Sequence, residues 1–258
     1  MMDASRPAAD GPWPPAIIVG SPSWRVYGAV VLLLLVTQLA FSQAGGLVAA
    51  RVPPVDDGWF VQLSVHHLVQ AALTVSLVWL LASRWGLDFG LRVGDARAGW
   101  AVLGVFALAW GAYLLVFHLV MSATGHTRVS LPSDPGLQLG VLGFQVLLTG
   151  PCEELLFRAL PITLLAALRP RKLVGRGRWS LTVESAVAAI LFAAGHVGFS
   201  LAPLALHLDP AQLATTFVLG ALQGVVYQRT RSVLWPMALH SLSNGMVTVG
   251  ALAAGWTA

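Results

Sequence analysis

The sequence predicts an all-α polytopic membrane protein, a helical bundle of about seven transmembrane helices. Three observations carry that prediction. Of the 258 residues, 57% are hydrophobic and only 10% are charged, against roughly 25% charged in soluble domains. Mean hydropathy is +0.75. Seven apolar stretches come close to, or exceed, the roughly 20 residues a helix needs to cross a bilayer. The same composition excludes disorder, which requires low hydrophobicity and high charge. A net charge of +4 and a pI near 10.0 do not point to nucleic acid, because the basic residues lie between apolar stretches and form no single patch.

In chain order the stretches are 26–50, 60–83, 99–121, 137–168, 182–200, 211–228 and 233–256. A Pro-rich tail, 1–25, precedes them, and 26–258 reads as a single transmembrane domain. The long segment before the first stretch and the lack of a clear A-x-A site favour a signal-anchor over a cleaved signal peptide. Gly136 and Gly140, and Gly220 and Gly224, have the spacing that lets helix backbones approach closely. The single Cys152 rules out a disulfide framework and a Cys-rich zinc site.

The basic residues orient the chain. Arg6, Arg25, Arg84, Arg92, Arg97, Arg169, Arg171, Lys172, Arg176, Arg178, Arg229 and Arg231 fall on one set of alternate connections, and only Arg51 and Arg128 on the other. By the positive-inside rule the N-terminus is cytoplasmic and the C-terminus outside. Trp24, Trp59, Trp85, Trp100, Trp179, Trp235 and Trp256 sit near stretch ends, as interfacial belts require. An integral, multi-pass plasma-membrane protein is expected, and the Arg-rich, Lys-poor composition suggests a bacterial source.

Three charges remain inside. Every Asp lies in the tail or a connection, and Glu184 opens the fifth stretch, where the helix dipole favours an acid. Glu153, Glu154 and Arg158 fall within the fourth stretch. Each would cost about 2.5–3.5 kcal/mol at the bilayer centre if unpaired. Glu154 and Arg158 are spaced i,i+4 with the acid first, the favourable order for a helix pair. Glu153 points about 100° away and needs a different partner. His196 in the fifth stretch, and His240 and Asn244 one turn apart in the seventh, can supply it. At 1.5 Å per residue from the cytoplasmic ends, Glu153 and His196 lie about 21–22 Å deep, Asn244 about 17 Å and His240 about 10 Å. Helix tilt allows them to meet.

Such a cluster suits water activation. A carboxylate beside a His can accept a proton from water and deliver it to a leaving amine. A neutral His and an Asn amide can donate hydrogen bonds to an oxyanion.

Glu153-Glu154-x-x-x-Arg158, Phe192-x-x-x-His196 and His240-x-x-x-Asn244 resemble, in order and spacing, the three motifs of the CPBP intramembrane proteases. This group includes CAAX prenyl endopeptidases and bacterial Abi or bacteriocin self-immunity proteins. The resemblance covers 137–256, and Gly86-Leu-Asp-Phe-Gly-Leu-Arg92 looks like the connection that often precedes that core. Ala159 departs from the pattern, where Gly commonly follows the Arg. The resemblance implies an intramembrane endopeptidase acting on a peptide or membrane protein, with a prenylated peptide the best-known substrate class. It implies Glu153 as general base, His196 as the water-orienting residue and His240 with Asn244 as oxyanion donors. Glu154, Arg158 and Phe192 would be supporting residues. The family is often called a metalloprotease, and zinc, if bound, would take Glu153, His196 and His240. The residues also support a metal-free Glu/His mechanism, which is the reading preferred here. A carrier or immunity protein that uses the same cluster for binding is the alternative.

Other polar residues read mainly as packing. His66 and His67, with Gln70 one turn on, suit either haem or metal ligation or an ordinary buried position, and the second is favoured. His118 reads as packing, His207 as solvated, and Gln145 as a secondary candidate for the cavity wall. Pro151 should disturb the helix just before the acids by removing a backbone hydrogen bond.

Overall fold

The computed structural model describes residues 24–124, 131–168, 172–175, 177, 179–201 and 204–255. The described residues form a bundle of seven helical segments: α1 Trp24–Ala49, α2 Trp59–Trp85, α3 Ala96–Thr124, α4 at 135–168, α5 Val183–Gly195, α6 Pro210–Thr230 and α7 Leu234–Ala253. Two short antiparallel hairpins join them. One pairs β1 Lys172–Val174 with β2 Leu181–Thr182, and the other pairs β3 Gly198–Leu201 with β4 Leu204–His207. The all-α prediction holds. The tail before Trp24, Arg128, Arg169, Arg171, Arg176, Arg178 and Trp256 lie outside the described residues.

α1, α2 and α3 are each long and apolar enough to cross a membrane. Their outward faces expose Leu32, Leu33, Trp79, Leu108 and Leu115. A soluble protein does not leave apolar surface so continuous in water, so this is an integral membrane protein.

α4 is the centre of the bundle. Its last turns are almost wholly enclosed, with Ile162, Leu165 and Ala166 at zero exposure. They pack against α1, α2, α5 and α6. Asp134 starts this helix by accepting from the Leu137 amide, and Pro135 occupies the first turn, where no donor is lost. Two π-helical stretches, Phe144–Thr149 and Leu155–Ala159, then flank the segment Gly150–Glu154. Pro151 has no amide to donate, and the helix absorbs this by widening rather than breaking. A break would leave backbone groups unsatisfied in hydrocarbon.

Glycines set the closest approaches. A Cβ on Gly150 would lie 2.6 Å from the Met237 carbonyl oxygen, so α4 and α7 touch backbone to backbone. On α6, a Cβ at Gly224 would meet Ser185 at 2.9 Å, and one at Gly220 would meet Ala189 at 3.3 Å. That glycine pair is the α5 interface. In the other pair, Gly140 faces the Phe60 ring, whereas Gly136 faces only the nearby Asp134 carboxylate.

Two expectations are corrected. The fifth stretch does not stay helical to residue 200. α5 has 13 residues, about 20 Å of rise, and the apolar run continues as the β3–β4 hairpin. Apolarity alone does not separate a buried strand from a helix, and Gly195 and Gly198 punctuate the run. Trp235 is not part of an interfacial belt. It is buried, donates from Nε1 to the Val93 carbonyl at 2.8 Å and covers Gly99. Trp24, Trp59, Trp85, Trp100 and Trp179 are exposed, as a belt requires.

Gly150→Ala tests the central contact. Helix propensity favours Ala by about 1 kcal/mol, but a methyl 2.6 Å from a carbonyl oxygen cannot stay there. Overpacking of about 1–3 kcal/mol should outweigh that gain. A lower unfolding temperature in detergent is expected, and an unchanged or higher one contradicts the contact.

Candidate functional site

The acids of α4 face two environments. Glu154 and Arg158 are completely buried, with Arg158 Nε 3.2 Å from Glu154 Oε2. Arg158 also donates to the side-chain Oε1 of Gln223 on α6, and its guanidinium stacks 3.8 Å above the Phe192 ring of α5. Glu154 Oε1 accepts from His240 Nδ1 of α7 at 2.7 Å. One ion pair therefore ties four helices together. Glu153 turns toward a cavity of about 430 Å³, whose walls include His67, Gln145, His196, Gln223, His240 and Asn244.

Three histidines surround Glu153, and each has its Nδ1 committed elsewhere. His67 Nδ1 donates to the Leu63 carbonyl at 2.8 Å, His196 Nδ1 to the Phe192 carbonyl at 2.9 Å, and His240 Nδ1 to Glu154. A ring whose Nδ1 carries the proton presents Nε2 as its free atom. His67 Nε2 lies 2.8 Å from Glu153 Oε1, and His240 Nε2 lies 3.8 Å from Glu153 Oε2. Oε2 is buried and makes no hydrogen bond within the described residues. The two oxygens of Glu153 thus have different surroundings: one is held and one is free.

Asn244 is oriented by a chain of donors. The Thr149 hydroxyl donates its one proton to the Gln145 backbone carbonyl at 2.7 Å, so toward Asn244 it can only accept. The Asn244 amide nitrogen must therefore face Thr149, at 3.0 Å, and its second proton goes to Gln145 Oε1 at 2.9 Å.

The donor types are those of a zinc site, since an imidazole with Nδ1 bonded to a carbonyl or carboxylate commonly ligates through Nε2. Among the described residues, no three His, Cys, Asp or Glu side chains are placed to hold a metal ion. The His67 hydrogen bond engages Glu153 Oε1 and leaves Oε2 on the side of His240 Nε2.

The structure brings Glu153, His196, His240 and Asn244 to one cavity, with Phe192 edge-on to His196 and His240. His196 itself is the residue that caps the end of α5, not a residue within the helix. Gln145 joins the wall. The residue the sequence reading missed is His67, assigned there to packing. Its neighbour His66 does pack, against Gly45 of α1. A polar pair in an apolar helix was the available signal, and two adjacent residues point about 100° apart, so one could face α1 and the other the site. His118 donates to its own helix at the Leu114 carbonyl and packs on Gly250, while His207 is exposed. Glu184 opens α5 as expected but is fully buried. A larger groove of about 910 Å³ between α3 and α7 is almost wholly apolar, and among the described residues His118 is the only titratable side chain on its walls.

Arg158→Met should leave Glu154 buried without its cation, at a cost of about 3–5 kcal/mol. Loss of folded protein after mild heating in detergent is expected, with partial recovery in Glu154→Gln/Arg158→Met. Full stability of the single variant would show that the pair does not hold the bundle.

Residues 135–246 match the family model described as type II CAAX prenyl endopeptidase Rce1-like. Comparison with curated proteins and with solved structures finds no significant match. The matched segment runs from the first turn of α4 into α7 and contains Glu153, Glu154, Arg158, Phe192, His196, His240 and Asn244. Over this segment, somewhat less than half of the chain, the protein is similar to the CAAX prenyl endopeptidases of the CPBP group.

Proposed function

We propose that the protein is an intramembrane endopeptidase that hydrolyses a peptide bond with water activated by Glu153. The observation that carries this is the asymmetry of the Glu153 carboxylate: Oε1 is held by His67, while Oε2 is buried beside His240 Nε2 and makes no hydrogen bond within the described residues. A water that reaches Oε2 enters as the side chains lining the cavity part. Glu153 Oε2 takes a proton as the water oxygen bonds to the scissile carbonyl carbon. When the C–N bond breaks, the same proton goes to the departing amine. His196, with Nδ1 committed to Phe192, offers Nε2 as an acceptor that orients the water.

Asn244 serves as the oxyanion donor by exchange. Its N–H now on Gln145 Oε1 turns to the developing oxyanion as the Gln145 side chain gives way, while the Thr149 contact keeps the amide in place. His240 adds a second donor at Nε2 when its ring carries both protons, and Glu154 fixes that ring. Glu154, Arg158 and Phe192 position the others. A carrier would use the same cluster only for binding, but the chemistry of the family segment favours hydrolysis.

The substrate is a membrane-associated peptide or protein. A prenylated peptide is the class the family segment suggests. The basic connections support an N-terminus in the cytoplasm and a C-terminus outside.

The assay uses a fluorogenic peptide ending in a farnesylated Cys-aliphatic-aliphatic-X sequence. Glu153→Ala is expected to lose about 10²–10⁴-fold in rate, with His196→Ala and His240→Ala strongly impaired. Full activity of Glu153→Ala sinks the assignment. If the intact protein does not cleave this probe, the prenyl class is wrong. Peptidomics of membranes holding intact or Glu153→Ala protein then decides the activity, and identical product sets would favour the carrier.

The mechanism proposed here needs no metal. Activity should persist after exhaustive treatment with a zinc chelator. Loss that zinc alone restores would replace it with a metal-assisted reaction.

A further inference from the structure

We infer that His67 is a positioning residue for the reaction: it holds one oxygen of Glu153 so that the other is presented as the base. This rests on the reading of Glu153 as general base and adds a component from outside the family segment, which starts at residue 135.

His67 Nδ1 must carry a proton, because the Leu63 carbonyl 2.8 Å away can only accept. An imidazole protonated only at Nδ1 has a lone pair at Nε2, and a carboxylate oxygen also has only lone pairs. The two atoms are 2.8 Å apart, so a further proton lies between them. Glu153 Oε1 is therefore engaged and cannot take the proton from water. Its partner oxygen, 3.8 Å from His240 Nε2, is the one left for chemistry.

His67 is itself well fixed. It is buried, its Nδ1 is anchored one turn back on α2, and its ring meets Phe144 edge-on at 5.1 Å. Phe144 opens the first π stretch of α4. The hydrogen bond and the ring contact thus set α2 against the same helix that carries Glu153. A glutamate has three side-chain torsions, and without a fixed oxygen both oxygens would sample several positions near the cavity. A displacement of about 1 Å at a reacting group can cost about 10²-fold in rate.

The test compares His67→Leu with His67→Gln, using the farnesylated peptide or the peptide that membrane peptidomics identifies. Leu fills the space but cannot donate. Gln places an amide N–H near the position of Nε2. His67→Leu is expected to lower kcat by about 10²-fold with KM unchanged, and His67→Gln to stay within about tenfold of the intact protein. Several results would overturn the inference: a fully active His67→Leu, a raised KM at constant kcat, or a folded His67→Gln no better than Leu. Unfolding of both variants would overturn it too, by assigning His67 to the fold. Glu153→Ala is run alongside. If that variant is active, the base assignment itself falls. If it is inactive while His67→Leu is active, only the role of His67 falls.

Discussion

The buried pair of Glu154 and Arg158 is the constraint on which the rest of the structure depends. Neither charge reaches water, so each must be satisfied by protein, and the partners come from different helices. Gln223 brings in α6, the Phe192 ring brings in α5, and His240 brings in α7. In lipid, apolar side chains alone give helices little reason to choose one another. A fully desolvated cation and anion give a strong reason, because separating the helices would strip each charge of its partners. The catalytic proposal inherits this arrangement, since the ring of His240 is aimed by its bond to Glu154.

A second layer of constraint concerns protons rather than charges. Each histidine near Glu153 has its Nδ1 bound to an acceptor it cannot exchange: a helix carbonyl for His67 and His196, a buried carboxylate for His240. Thr149 does the same for Asn244 by spending its own proton first. The site is therefore directional before any substrate arrives. Only the Asn244 contact with Gln145 has to be exchanged during the reaction, while the other dipoles are already oriented.

Much of this was legible in the sequence. The seven apolar stretches mark the seven helical segments, because hydrocarbon admits few alternatives to a helix. Glu153 and Glu154 were conspicuous because an acid within an apolar stretch requires an explanation. The i,i+4 spacings revealed the Arg158 pair and the shared face of His240 and Asn244. What stayed hidden was which helices adjoin. His67 is 86 positions from Glu153, and no local spacing reports such a contact. The end of α5 was hidden for another reason: the run from Val197 onward is as apolar as the helix before it, and apolarity does not specify backbone geometry. Trp235 was misread because a tryptophan near a helix end suits an interface and a backbone carbonyl equally well.

The two π stretches on either side of Gly150–Glu154 have a meaning beyond accommodating Pro151. A π turn is an α turn that has gained one residue without losing its helix. Such a gain rotates everything beyond it by about 100° relative to what came before. α4 therefore behaves as three short helices sharing one axis, each free to meet a different set of neighbours. In water a protein can redirect side chains with a loop, but a chain surrounded by lipid cannot leave that much backbone unsatisfied. Single-residue insertions, kept within the helix, are a route by which a membrane-embedded segment can acquire a new face without surrendering the old ones.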